Sequence, residues 1–174
     1  TRDIDGEVEA FILGRGAMSA FKGYRGYPAT VCTSINDEVV HGIPSPKRKL
    51  EDGDIIGLDL GCIVEGYYGD CAVTLPVGAV PARVQELLDV TRESLDKAIV
   101  QCRAGNRVGD ISHAVQTHCE SHGFGVVRAF VGHGIGRALH EEPQVPNFGE
   151  AGRGPALKAG MVLAIEPMVT MGSW

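Results

Sequence analysis

Two apolar runs that each carry an aspartate, with a tight turn between them, set the strongest constraint on how this chain folds. The first, Asp54–Ile63, contains Asp59. The second, Tyr67–Leu75, contains Asp70 and follows the linking residues Val64-Glu65-Gly66. Runs of this length and composition around such a turn predict a β-hairpin. With Val64-Glu65 as the two-residue turn, Asp59 faces Asp70, their Cβ atoms about 4.5–5.5 Å apart. A one-residue bulge keeps them near neighbours. Like charges facing each other across strands are destabilising, and Asp is depleted in strand interiors, so something must offset the repulsion and desolvation. A shared divalent cation does so; the plainer alternative is an exposed hairpin edge with solvated acids.

The other features narrow the class. At 174 residues, with 44% apolar and 22% charged residues, the chain suits one soluble globular domain over 1–174 and excludes disordered and collagen-like classes. Its 24 glycines are about twice the usual ~7% share, which predicts many tight turns and close backbone approaches. A net charge of -6 argues against nucleic acid as substrate, since such binding rests on dense Lys and Arg contacts. The run Lys47-Arg48-Lys49 reads as a solvated loop. Five cysteines (Cys32, Cys62, Cys71, Cys102 and Cys119) make an odd count without Cys-x-x-Cys spacing and fit reduced, buried thiols of a cytoplasmic protein. No apolar run approaches the ~20 residues a membrane span needs, and no signal-peptide pattern opens the chain.

Periodicity places the remaining elements. Ile4, Val8, Phe11 and Ile12 predict a helix ending near Leu13, with Asp3 and Asp5 as caps. The stretch Phe21–Pro28 is too rich in glycine for regular structure, Thr30–Ile35 reads as a strand, and Asn36-Asp37 turns the chain. A helix is expected over Ala82–Cys102, with Val84, Leu87, Leu88, Leu95, Ala98 and Ile99 on its stripe, and another over Asp110–His122, stopped by Gly123. The histidines of the second helix, His113, His118 and His122, read as surface residues. Short strands are expected from Val126 to Val131 and over Met161–Ile165, with a polar loop over Glu141–Gly154. This order predicts an α+β architecture, helices packed on one face of a curved antiparallel sheet.

Three polar residues stand where packing alone would not place them: His133 between glycines, His140 seven positions on, and Glu166 closing an apolar strand before Pro167. The glycines at 132, 134 and 136 clear side chains from around His133, letting its ring reach inward and a cation or substrate approach the backbone. A lone histidine there reads better as a buried, hydrogen-bonded core residue. Beside Asp59, Asp70 and Glu166 it completes a mainly oxygen donor set that fits Mn, Fe, Co or Zn better than a thiolate zinc site, and a carboxylate-rich cluster suits two metals. His41 and His140 are open between proton donors and loop residues; Glu65, Glu141 and Glu142 read as solvated.

Taken together, the motifs resemble type I methionine aminopeptidases, metalloenzymes that remove the initiator methionine from new proteins. The resemblance is carried by Phe21–Pro28, Ser34–Pro44, the Asp59 to Asp70 hairpin, Gly132–Arg137 with His140–Pro146, and Ala164–Met168. It implies the pita-bread fold, whose two pseudo-symmetric halves cradle a dinuclear site, with Asp59, Asp70, His133 and Glu166 as four of five protein ligands. It also implies that His140 hydrogen-bonds the substrate near the scissile carbonyl, that His41 contacts the same peptide bond, and that Phe21, Tyr24, Tyr27, Cys32 and Leu139 line the methionine pocket. The implied reaction is attack by a metal-bridging hydroxide on the first peptide carbonyl, with Glu166 helping to move the proton and a small second residue preferred.

The family's catalytic domain extends further at both ends, so the resemblance describes a partial domain without the fifth ligand. N-terminal methionine peptides are the implied partners, ribosome docking is compatible with this, and a cytoplasmic monomer is expected. The alternatives are an Xaa-Pro peptidase of the same fold and a non-catalytic binding module on the same scaffold.

Overall fold

The hairpin forms, but its turn sits one residue later than expected. In the computed structural model, which describes residues 1–174, helix α1 (Arg2–Gly14) leads into strands β1 (Met18–Ser19), β2 (Val31–Ile35), β3 (Ile55–Val64) and β4 (Tyr67–Pro76). Val64 pairs with Tyr67, so the turn is Glu65-Gly66, both with positive φ (51° and 80°). Two left-handed positions define the turn type whose twist matches that of the strands, and glycine fits the second without strain. Each cross-strand partner therefore moves by two: Asp59 faces Ala72 and Asp70 faces Gly61. The aspartates are diagonal neighbours on one face, about 7–8 Å apart for this geometry, and not the directly opposed pair of the sequence expectation.

The chain folds as two compact units, 1–81 with 136–139, and 82–135 with 140–174. In the first, β3 is central. It pairs with β4 on one edge and on the other with β2 and then β1, all antiparallel. Every residue of β2 is buried. Gly61 on β3 is a required gap, because a Cβ there would lie 2.7 Å from the ring of Phe21 and 2.9 Å from Ala20. Asn36, with φ 56°, makes the expected turn and is held by Asp54 through its side-chain amide, 2.7 Å. Residues 136–139 belong here because Tyr68 N–H donates to Gly136 O at 2.8 Å and Arg137 to the Tyr67 hydroxyl at 3.0 Å.

Asp5 does not cap α1. The N-cap is Thr1, and the Asp5 carboxylate, on the buried side of the helix one turn in, accepts the backbone N–H groups of Thr30 and Val31. Of the five free cysteines, Cys32 and Cys119 are buried as expected, whereas Cys71 and Cys102 are exposed. Cys71 alternates outward along the edge strand β4, and Cys102 follows the end of the long helix described next.

The second unit contains α2 (Ala82–Val100), α3 (Val108–Ser121), β5 (Gly125–Val126), β6 (Val131–Gly134), β7 (Glu141–Pro146), β8 (Leu163–Ala164) and β9 (Val169–Thr170). Leu87, Val90, Ser94 and Ala98 form the buried stripe of α2. The predicted stripe had placed Ile99 on it and omitted Ser94, yet Ile99 is exposed and Ser94 fully enclosed. The small Ser94 donates its hydroxyl to Thr91 O at 2.7 Å, a local bond that lets a polar side chain sit in the core and that an apolar pattern does not register. Val108, Ile111, Val115 and Cys119 complete the core with Phe124, Val126, Val145 and Leu157.

At the start of α3, the Asp110 carboxylate accepts the N–H groups of Arg107 and Gly152, both at 2.7 Å, and these bonds hold its pKa below the ordinary range. His113 and His122 are exposed, but the His118 side chain is 11% exposed, with Nε2 3.0 Å from Glu93 Oε2 on α2. It fills the seam between the helices, contrary to its reading as a surface residue.

The ladders here are two, β5 with β9 and β7-β6-β8, all antiparallel. The expected loop over 141–154 begins with a strand, β7, which tolerates Pro143 and Pro146 because it lies at a sheet edge where the missing N–H groups have no ladder to serve. The expected strand over 161–165 is regular only at Leu163–Ala164. No helix is long and apolar enough to cross a membrane.

Strand β6 is squeezed between its neighbours. A Cβ on Gly132 would lie 2.3 Å from Ala164 O, and one on Gly134 2.3 Å from Glu142 O. Gly134→Ala should therefore cost about 1–3 kcal/mol in chemical denaturation, the usual range for overpacking. Gly6→Ala, exposed on α1 with nothing within 4 Å, should stabilise by about 0.5–1 kcal/mol. Equal effects at the two sites would contradict this account of β6.

Candidate active site

In the first unit Asp59, Asp70 and Cys32 lie on one face of the β3 sheet. Asp59 and Asp70 share a face and are both half-buried. Cys32 on β2 lies directly across from Asp59 and is buried, as are Phe21 and Leu139. The Tyr27 hydroxyl lies 3.1 Å from Val31 O and 3.0 Å from Gly42 O, tying the Gly-rich segment to β2 and to the loop after His41. Tyr24, half-buried, opens a short 3₁₀ turn at Tyr24–Gly26.

His41 is exposed on a left-handed backbone, φ 62°. The residue behind it explains the loop's closeness to β2. Gly42 O accepts Thr33 N–H at 2.8 Å, and a Cβ on Gly42 would lie 2.2 Å from Thr33 O.

Electrostatics keep this side neutral at the thiol and phenol. Burial pushes the Cys32 thiol up to about 11, Asp59 and Asp70 add to the shift, and a hydrogen bond from Tyr27 works against it. Burial likewise raises the Tyr27 hydroxyl, with Cys32, Asp5 and Asp59 reinforcing the effect. Both side chains are protonated at neutral pH, so pocket walls built from them are uncharged.

In the second unit, His133 is buried on β6 and pairs in register with Ala164 on β8, which brings Glu166, two residues further on, to its ring. His133 Nδ1 lies 2.8 Å from Gly134 O, and Nε2 lies 3.1 Å from Glu166 Oε1. A carbonyl can only accept, so Nδ1 carries a hydrogen, and neutral imidazole then presents a bare Nε2 to the carboxylate. Glu166 Oε1 is fully enclosed and has no hydrogen bond in this arrangement. Two acceptors facing each other in a buried place require a cation or a proton between them. Carboxylate oxygens with one imidazole nitrogen suit first-row divalent metals. His140 is exposed, its ring 4.3 Å from that of His133, so the two histidines stand side by side.

Every residue singled out from the sequence thus has a defined place: Phe21, Tyr24, Tyr27, Cys32, His41, Asp59, Asp70 and Leu139 in the first unit; His133, His140 and Glu166 in the second. The adjacent Leu139 and His140 fall in different units. Sequence reasoning missed the role of Asp5. The only signal for it was a charged residue at a position where the helix pattern turns inward.

The Cys32 assignment has a chemical consequence. A thiol with pKa about 11 holds only about one part in a thousand as thiolate at pH 8, so Cys32 should resist iodoacetamide until the chain unfolds. Cys71, exposed on β4, should be alkylated first. Peptide mass spectrometry over time reads both; rapid labelling of Cys32 in the folded protein would contradict its burial.

The model for metallopeptidase family M24 matches residues 1–174. The methionine aminopeptidase of Clostridium acetobutylicum is 53% identical over 174 residues, covering 100% of this chain and 70% of the relative. Methionine aminopeptidase 1 of Bacillus subtilis is 51% identical, covering 99% and 69%. The crystal structure of methionine aminopeptidase from Thermotoga maritima superimposes with a TM-score of 0.97 at 49% identity, over 99% of this chain and 69% of that one. A prolidase from Pyrococcus horikoshii gives 0.80 at 27% identity, over 95% and 45%. The α+β pita-bread fold implied by the motifs is the fold of this chain, and its relatives are hydrolases. With the family model matched from end to end and curated relatives above 50% identity, the chain belongs to metallopeptidase family M24.

Proposed function

We propose that this chain is a metal-dependent methionine aminopeptidase that releases methionine from peptides with a small second residue. The observation that carries the reading is His133 Nε2 3.1 Å from the enclosed Glu166 Oε1, a nitrogen and an oxygen donor that a divalent cation would satisfy together. Asp59, Asp70, His133 and Glu166 are proposed as ligands of two divalent ions, drawn from Co, Mn, Fe or Zn, and the two units as a single catalytic domain. When bound, such ions supply Lewis acidity and lower the pKa of a nucleophilic water.

The chain's own residues do the rest. Gly134 O, accepting from Nδ1, fixes the His133 tautomer that offers Nε2 outward. Glu166 is placed to take up and pass on a proton. His140 donates a hydrogen bond to the developing oxyanion, and His41 contacts the same peptide bond. Phe21, Tyr24, Tyr27, Cys32 and Leu139 line the pocket. Because Cys32 and Tyr27 are held neutral, the pocket favours an apolar thioether over a charged side chain, and sulfur gains modestly against aromatic edges. Initiator methionine removal would place the protein, as a monomer, in the cytoplasm with nascent chains at the ribosome.

The likeness to prolidase favours Xaa-Pro cleavage as a second reading, and relatives at 44–53% identity named methionine aminopeptidase weigh against it. A binding module without chemistry would have no need of the four proposed ligands together.

The test is release of methionine from Met-Ala-Ser by the protein loaded with Mn²⁺ or Co²⁺ under reducing conditions, with Ala-Pro as the competing substrate. Release from Met-Ala-Ser alone is expected, abolished by chelation and by Asp70→Asn. His140→Ala should lower kcat by about 10²–10³ with little change in metal binding. His133→Ala and Glu166→Gln should weaken Mn²⁺ binding in calorimetry whatever the activity. Cleavage of Ala-Pro alone, or no hydrolysis with any of the four metals, would overturn the reading.

A further inference from the structure

We propose that Asp5 is a positioning residue for the methionine pocket, setting Cys32 and Tyr27 by clamping the backbone that opens β2. This rests on the functional reading above and names a residue outside its site. Asp5 lies on α1 and is 3% exposed. Its Oδ1 accepts Thr30 N–H at 2.8 Å and Val31 N–H at 3.2 Å, and Oδ2 lies 3.3 Å from Arg2 Nη1. A buried carboxylate is costly unless hydrogen-bonded and paired, and this one is hydrogen-bonded by the two residues that precede Cys32 and paired with Arg2.

The strand's geometry shows what the clamp controls. One edge of β2 pairs with β3, and along the other edge the N–H groups of alternate residues point the same way. Each has a different partner: Val31 N–H the Asp5 carboxylate, Thr33 N–H the Gly42 carbonyl, and Ile35 N–H the Glu38 carboxylate at 2.9 Å. The Asp5 bond is the one nearest Cys32 on the N-terminal side. Val31 is also held at its carbonyl, because Tyr27 OH reaches Val31 O and Gly42 O. One carboxylate therefore anchors a short chain of contacts, from Val31 to Tyr27 and on to Gly42 behind His41. Release of the Thr30 and Val31 amides would let the start of β2 fray, and with it both pocket side chains.

A purely structural anchor and a positioning residue differ in what they move. Asp5→Ala removes the acceptor; Asp5→Asn keeps an oxygen able to accept both N–H groups and loses the charge. Ile12→Ala, on the same helix and buried, destabilises α1 while leaving the Asp5 acceptor of the Thr30 and Val31 amides in place. On the metal-loaded protein, Asp5→Ala is expected to raise KM for Met-Ala-Ser by about tenfold with kcat within about threefold, since a small misplacement of a binding wall acts mainly on ground-state contacts. Asp5→Asn should restore KM to near the original value, and Ile12→Ala should lower Tm and leave KM unchanged.

An unchanged KM in Asp5→Ala, a like rise in Ile12→Ala, or no rescue by Asp5→Asn would overturn the proposal. Should Asp5→Ala fail to fold, Asp5→Glu, which displaces the carboxylate by one methylene, carries the same KM measurement. Absence of methionine release by the unaltered protein would instead count against the functional reading. The clamp is then read from Cys32 alkylation at pH 8, expected to be about tenfold faster in Asp5→Ala than in Ile12→Ala; equal rates would overturn it.

Discussion

The left-handed pair Glu65-Gly66 decides where every residue of the long hairpin stands. With a two-residue turn the numbers of facing residues sum to an odd value, so the odd-numbered Asp59 and the even-numbered Asp70 must share a face. Moving the turn by one residue changes each partner by two and leaves the faces as they were. A three-residue loop would make that sum even and send the two aspartates to opposite sides of the sheet. The site therefore depends on loop length first and on exact register second. Gly66 secures the length, because the turn that matches strand twist needs positive φ at both central positions.

Two carboxylates show how burial separates structure from chemistry. Asp5 is almost fully enclosed, yet one of its oxygens receives two backbone N–H groups and the other an arginine. Glu166 is a third exposed, but its Oε1 is enclosed, lies 3.1 Å from His133 Nε2 and has no hydrogen bond. The first arrangement is complete by itself. The second is not, since a buried acceptor without a donor carries a desolvation cost of about 1–3 kcal/mol that a bound cation removes. This contrast separates a fastening from a candidate ligand without appeal to exposure alone.

The candidate site was more legible in the sequence than parts of the fold around it. Carboxylates inside apolar strands and a histidine between glycines violate local preference, and such violations are visible one residue at a time. The helices were legible because their apolar period is long enough to average out exceptions such as Ser94. What escaped was decided by partners far along the chain. Strand β7 looked like a polar loop because its prolines are tolerated only at an edge, and only tertiary pairing shows which strands lie there. His118 looked solvated because Glu93, 25 residues away, is what draws it into a seam. Asp5 looked like a cap because helix starts favour acids, and the amides it serves lie on another element.

The glycines beside His133 serve close strand packing. Their pattern suggested room for a cation or substrate near the backbone, whereas the atoms that crowd Gly132 and Gly134 are carbonyls of the flanking strands. Close approach on both sides makes β6 an inflexible mount. The ring it carries is further held by Gly134 O at Nδ1, which leaves the other nitrogen aimed at Glu166. A ligand fixed in this way loses little freedom when it takes up a metal, and a fixed tautomer excludes the form that could not bind one. Tight packing of glycine strands, and not open space, is what holds the His133 ring in place.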